Sequence, residues 1–450
     1  MTDQTMDAII NFAKNTNYVD LTSETVESAK IFITDSIAVG ISGSKVESAA
    51  AIRSAVSSWG NGNDSSILGV SGKLPTNSAA YVNSFQIHCQ EYDCLHEGAT
   101  VHAMAVLTGA LLALAQTSNY SGRDLILGTV IGVDIAANLG LSATKGLAFF
   151  RPATAGALGA CAALARLENF NDLQMRDALG LTYSQLAGTM QAHVEGSVAL
   201  PIQIAGAARA VITSIQLVKQ KLSGPHEIMD GPFGYFTLFE PHGEPKKIFG
   251  HLGLIWRVTE LSHKPFPTGR AAHAILDGIN TLQNQHLIQS NNIKSVTAQV
   301  PSLVKRLVDR PARENMTVNY ARLCLQYLVA VQLTRGVIDT GSFSNDLLND
   351  SEILAFAKKV QIIQDDNPNP NALSPQKLFI ESYDGSNRQL EIPHTLGSPQ
   401  NPLTNIQCDS KFMHCCESGN LSRHKTLELL ETLKSLENCN DVNKLMQMTS

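Results

Sequence analysis

Glu91 to Val106 reads EYDCLHEGATVHAMAV, which sets two histidines, three carboxylates and a thiol in front of an apolar run. Imidazoles beside carboxylates are the parts of proton-transfer chemistry, because imidazole titrates near neutral pH and a neighbouring carboxylate sets its charge and tautomer. A zinc-protease motif needs histidines four apart on one helical face. His96 and His102 are six apart with Gly98 between them, so no metal is expected here. The spacing fits a loop that enters a helix near Ala103, where open backbone amides and the positive end of the helix dipole favour an anion. On the residues alone, a cap or a hydrogen-bonded core residue is the simpler reading of His102.

A second group, HKPFPTGRAAHAILDG from His263 to Gly278, gathers His263, Lys264, Arg270 and His273 around a turn stiffened by two prolines. It falls where the texture of the chain changes, and clefts between domains are favoured places for small-molecule sites. The plain alternative is a linker followed by a helix that buries His273, with Arg270 in a salt bridge or a subunit contact. The eight cysteines form no CxxC pair, as expected of reduced thiols. His414, Cys415 and Cys416 are contiguous, which suits a tetrahedral metal site poorly.

The elements that must position these groups are mostly helices. From about residue 20 to 220, Ala-, Leu- and Gly-rich segments recur at helical period, with SGRD at Ser121 to Asp124 as a capping-box start. So many small residues imply closely packed helices. The most apolar run, Leu125 to Ala143, carries Asp134 and Asn138 and reads as a buried helix rather than a membrane span. Beyond residue 263, IKSVTAQV alternates like a strand, SEILAFAKKVQIIQDD reads as a helix and a strand, and QKLFIESYDGSNRQLEIPH reads as a hairpin turning at Asp384-Gly385. After LGSPQNPL the chain is polar and helical again. The expected fold is therefore mainly α: a large all-helical domain of residues 1–262 and 398–450, and a smaller α+β domain of residues 263–397.

Of the 450 residues, 44% are hydrophobic and 16% charged, the balance of a well-cored globular chain. The net charge of −6 has no basic stripe, which argues against a nucleic-acid partner. The first residues, MTDQTMDAIINFAKN, lack the basic lead of a signal peptide, so a cytoplasmic protein is expected.

Several stretches in this order resemble the MmgE/PrpD family of 2-methylcitrate dehydratases, cis-aconitate decarboxylases and iminodisuccinate epimerases. They are DSIAVGISG at Asp35 to Gly43, the opening stretch with its apolar helix, FFRPATAGALGA, GPFGYFTLF, KPFPTGRAAHAILDG and LGSPQNPL. The resemblance implies a helical domain with an α+β lid, a homodimer, and cofactor-free chemistry on a small di- or tricarboxylate. His102 and His273 match histidines with proton-transfer roles, and Asp93 is the expected partner of His102. Glu91 and His96 lie in the same segment, and Arg151, Gln203, Lys264 and Arg270 are the candidates for holding substrate. Leu200 stands where many members carry a lysine, Cys94 where an aspartate is common, and Arg151 where a histidine is frequent. The first expectation is a hydro-lyase of the 2-methylcitrate dehydratase type. A decarboxylase or an epimerase would use the same parts, and a non-catalytic ligand-binding member is the third reading.

Overall fold

The computed structural model describes residues 3–450. The chain is mainly helical, with a small mixed sheet in its C-terminal region. Helices that matter to the site are labelled α1 (Ser23–Gly43), α2 (Thr76–His88), α3 (Ala103–Ser118), α4 (Gly122–Leu141), α5 (Arg151–Leu167), α6 (Ala199–Lys219), α7 (His273–Asn284), α8 (Asn405–Ser418) and α9 (Arg423–Lys434). Their apolar faces form one large core that runs from Met6 to Leu261 and takes in Phe412 to Met446 from the chain's end. A second core, from Ala271 to Ile392, also captures Leu147.

The sheet of the second core has β1 (Ile293–Val300), β2 (Val360–Gln364), β3 (Gln376–Ser382) and β4 (Asn387–Ile392), in the order β2-β1-β3-β4. Only β1 and β2 are parallel. The β3-β4 hairpin turns through Asp384 and Gly385 as the sequence predicts. Gly385 adopts a φ of 82°, which a side chain would disfavour, and Asp384 Oδ1 accepts from the Ser386 amide at 2.8 Å. α7 packs across β3 and β4.

Helix α4 begins at the predicted capping box. Ser121 Oγ accepts from the Asp124 amide, and the Asp124 carboxylate accepts from the Ser121 amide. By length and composition α4 could cross a membrane, but it is buried between neighbouring helices of the first core. Burial pushes the Asp134 carboxyl well above the usual carboxylate range, so it sits in the core as a neutral acid and accepts from the Arg257 amide at 2.7 Å.

Small residues let these helices approach closely. A methyl group placed on Gly159 of α5 would lie 2.2 Å from the Gly132 carbonyl oxygen of α4. The obstacle is backbone, so the two helices themselves would have to separate. Gly159→Ala is expected to lower stability by about 1–3 kcal/mol, read as a lower urea midpoint at unchanged slope.

Candidate active site

Two short devices fix the loop between α2 and α3. Residues Leu95–His96 pair antiparallel with Leu261–Ser262, which ties the loop to the approach of the second core. Glu91 and Thr100, neither of them glycine, adopt positive φ angles of 53° and 52°. That backbone costs energy and persists only where surrounding contacts hold it. Lys264 supplies one such contact, because its fully buried ammonium donates to both the carbonyl and a carboxylate oxygen of Glu91, each at 3.0 Å.

The loop delivers Asp93, wholly buried, between two imidazoles. His88 Nδ1 lies 3.0 and 3.1 Å from the two carboxylate oxygens, and His102 Nδ1 lies 3.1 Å from Oδ2. An ionised carboxylate only accepts, so both Nδ1 atoms carry hydrogen. His88 Nε2 also lies 3.5 Å from Glu91 Oε1. The result is a buried run of ionisable groups, Lys264, Glu91, His88 and Asp93, that ends on the His102 ring.

The two histidines are driven apart. Burial opposes the charge on both, but at His88 the carboxylates of Asp93 and Glu91 outweigh it, and the pKa rises above its ordinary value. At His102 burial wins, helped by the positive charges of Lys264 and His88, and the pKa falls. Asp93 is held well below the carboxylate range, since the imidazoles more than offset its burial. Glu91 is held at about 2, against burial, by Lys264 first and then by the histidines. His88 is therefore biased toward the imidazolium. His102 is neutral, with its hydrogen on Nδ1 and a lone pair on Nε2, which has no hydrogen-bond partner among the described residues. Such opposed shifts in adjacent groups mark acid and base roles.

The donor atoms of His88, Asp93 and His102 lie within 4.8 Å of one another, a spacing that a metal ion could use. With both Nδ1 hydrogens directed at the Asp93 carboxylate, the group is arranged as a hydrogen-bonded proton-transfer network, in which His88 Nε2 is buried without a hydrogen-bond partner among the described residues.

His102 and Glu91 line a cavity of about 60 Å³ between the two cores, space for roughly two waters. Three helices start at its wall: α3 after His102, α5 after Phe150, and α7 after the turn Arg270–Ala272. None has a side-chain cap at its start. At α5 Pro152 has no N–H and the Ala153 amide donates to the Phe150 carbonyl, and at α7 the His273 amide donates to the Arg270 carbonyl, so it is the aligned helix dipoles that favour an anion there.

The cations expected to hold substrate are engaged elsewhere. Arg151, fully buried, donates Nε and Nη2 to the Glu240 carboxylate, Nη1 to the Ala99 carbonyl and Nη2 also to the Lys145 carbonyl. Arg270 spends its donors on Glu97 and on the carbonyls of His263, Thr395 and Leu396. Both line the cavity, but their forks bind the wall together and are not free to clamp a carboxylate. Gln203 lies apart from the cavity, in a groove with Arg209, and donates to the Thr189 carbonyl at 3.2 Å. His96 donates to Glu260 at 2.8 Å and accepts from the Ala99 amide at 3.1 Å, so it pins the loop. His273 is buried and donates Nε2 to the Thr268 carbonyl at 3.2 Å. It does not line the cavity that holds His102. Its Nδ1 is buried without a partner, and burial with the charges of Arg270 and Lys264 keeps the ring neutral. Leu200 closes a narrow crevice behind His88 and Glu91.

Sequence reasoning missed His88, His193 and Arg310. His88 had a signal, because α2 carries Asn83, Ser84, Gln86 and His88 on faces that are all buried. His193, in QAHVEG, and Arg310 had none.

Profiles of the MmgE/PrpD N-terminal and C-terminal domains match residues 7–247 and 266–435. A mouse cis-aconitate decarboxylase is 25% identical over 453 residues, covering 95% of this chain and 90% of the relative. An Aspergillus terreus cis-aconitate decarboxylase is 26% identical over 471 residues, covering 98% and 94%. A cis-aconitate decarboxylase-like protein of Aspergillus oryzae is 23% identical over 457 residues, covering 96% and 94%.

The charge pattern is open to measurement by imidazole nitrogen NMR. At pH 7, His88 should give an imidazolium signature and His102 the neutral Nδ1–H tautomer. Asp93→Asn removes the anion that most strongly supports the His88 charge, so the His88 titration should move to lower pH. An unchanged titration would refute the assignment.

Proposed function

Because the chain belongs to the MmgE/PrpD family, we propose that it is a lyase that acts on a small di- or tricarboxylate through side-chain acid-base chemistry, with His102 as the group that exchanges a proton with substrate carbon. The observation that carries this reading is the open Nε2 of a neutral His102, oriented by Asp93 and set in a cavity ringed by helix starts.

In dehydration of a hydroxy acid, His102 Nε2 takes the proton α to a carboxylate and the C–H electron pair forms the double bond. The hydroxyl leaves as water after gaining a proton. Negative charge that builds on the adjacent carboxylate faces the helix amides, where preorganised dipoles are most effective. The imidazolium formed at His102 is stabilised by Asp93, which keeps its own proton affinity low. The cavity is smaller than a six-carbon acid, so substrate entry requires the walls to part.

The nearly full-length likeness to cis-aconitate decarboxylases favours a second reaction on the same site. There the carbon–carboxylate bond breaks, carbon dioxide leaves, the electron pair shifts through the double bond, and the far carbon gains a proton. One proton is consumed per turnover, and the imidazolium form of His102 must supply it. Dehydration and decarboxylation therefore need opposite protonation states of one ring.

Purified protein should turn over at least one of 2-methylcitrate, citrate and cis-aconitate, followed by product absorbance and carbon dioxide release. His102→Ala should cost about 100- to 10,000-fold. For dehydration, kcat/KM should fall as pH drops through an apparent pKa below the ordinary histidine value of about 6.5, whereas for decarboxylation it should rise over the same interval. Deuterium uptake into otherwise unchanged acid would indicate epimerisation. No turnover of any of the three acids would defeat the lyase reading.

A further inference from the structure

The buried cations around the cavity differ in what neutralises them. Lys264 faces Glu91, Arg270 faces Glu97, and Arg151 faces Glu240. Arg310 is only 8% exposed, yet among the described residues its guanidinium meets carbonyls, an imidazole and a ring face, with no carboxylate. An uncompensated buried charge is costly to keep.

Arg310 follows the short helix Ser302–Val308 of the second core and reaches across the cleft to the first. Its Nη1 donates to the His193 carbonyl at 3.1 Å, its Nη2 to the Leu307 carbonyl at 2.9 Å, and the ring of Tyr320 lies under it at 5.1 Å. Nη2 also faces His193 Nδ1 at 3.4 Å. A guanidinium has only donors, so Nδ1 of His193 is the acceptor and the ring hydrogen sits on Nε2. His193 lines the same cavity as His102, and among the described residues its Nε2 has no hydrogen-bond partner. Burial and the Arg310 charge hold its pKa at about 4, so it stays neutral through the working range. The pair thus offers an N–H donor of fixed tautomer, backed by a buried positive charge, on the wall that also holds the proposed base.

We infer that His193, held by Arg310, is a carboxylate subsite: its Nε2–H takes one carboxylate of the substrate and selects for acids that carry one at that position. This inference rests on the polycarboxylate reading of the site. A donor of this kind left empty by an acid lacking that carboxylate forfeits its hydrogen bond in a dry pocket, which is the strongest form of discrimination available to a small site. His193 acts here by contact with substrate, and Arg310 is a positioning residue that acts through it.

The test is calorimetric titration of the full chain with tricarballylate, a saturated tricarboxylate that cannot react, alongside steady-state kinetics on any confirmed substrate. His193→Leu should weaken tricarballylate binding by roughly 10- to 100-fold and raise KM while leaving kcat within about 3-fold. His193→Asn, which keeps an N–H donor, should recover most of that loss. Arg310→Gln, which leaves the ring but frees its tautomer, should give an intermediate loss, and it reports on the subsite even if the leucine variant fails to fold. Wild-type affinity in His193→Leu, or equal losses in the leucine and asparagine variants, would overturn the subsite while leaving the polycarboxylate reading intact. If the wild-type chain binds no tricarballylate and turns over no polycarboxylate, the polycarboxylate reading itself is refuted.

Discussion

Everything at the site depends on one buried carboxylate being shared by two imidazoles. Asp93 is removed from water, so it must be fully paired, and it is paired by His88 and His102 together. Since both rings compete for one anion, their remaining neighbours decide which ring is charged. Glu91 stands beside His88 and tips it toward the imidazolium. That charge, with Lys264, helps keep His102 neutral. A single geometric choice therefore yields a histidine biased toward its charged form and a free base within one hydrogen-bonded unit.

Keeping such a run of charge buried requires a rigid setting, and the two cores supply it differently. The first core is built from apolar helices that approach one another over glycines, so α2 and α3 hold His88 and His102 at a fixed separation, with ring centroids 5.1 Å apart. The second core approaches through the segment His263 to Ala272, which sends Lys264 to Glu91 and Arg270 to Glu97. Neither core alone completes the wall. The strained backbone at Glu91 is held by the Lys264 cross-link.

The same cross-links explain how a site for anions can spend its most obvious cations on the protein. Arg151, Arg270 and Lys264 neutralise carboxylates that the fold needs for its own closure. The pull on a ligand is left to helix dipoles, which cannot be neutralised by rotation of a side chain, and to the Arg310 charge delivered through His193. Fixed dipoles of this kind need no reorganisation when charge develops on a substrate.

The sequence by itself determined the local matters. Periodicity and small residues gave the helices, a capping box marked the start of α4, Asp384-Gly385 marked the hairpin, and the opening stretch located Asp93 and His102 at the entrance of α3. These depend on interactions between residues close in the chain, which spacing records. Only the tertiary structure decided which partners the charged groups took. Arg151 meets Glu240 across 89 positions, Arg270 meets Glu97 across 173, and Arg310 meets His193 across 117. The Arg270 and Arg310 pairings follow from how the two cores dock and the Arg151 pairing from how distant segments of the first core pack, so residue type alone could propose Arg151 and Arg270 as substrate clamps but could not reveal that the protein had already used them. His193 stayed hidden for the same reason, since its chemistry comes from a guanidinium that no spacing in the chain records. His88 lies only five positions from Asp93, and the packing that buries the pair decides its role.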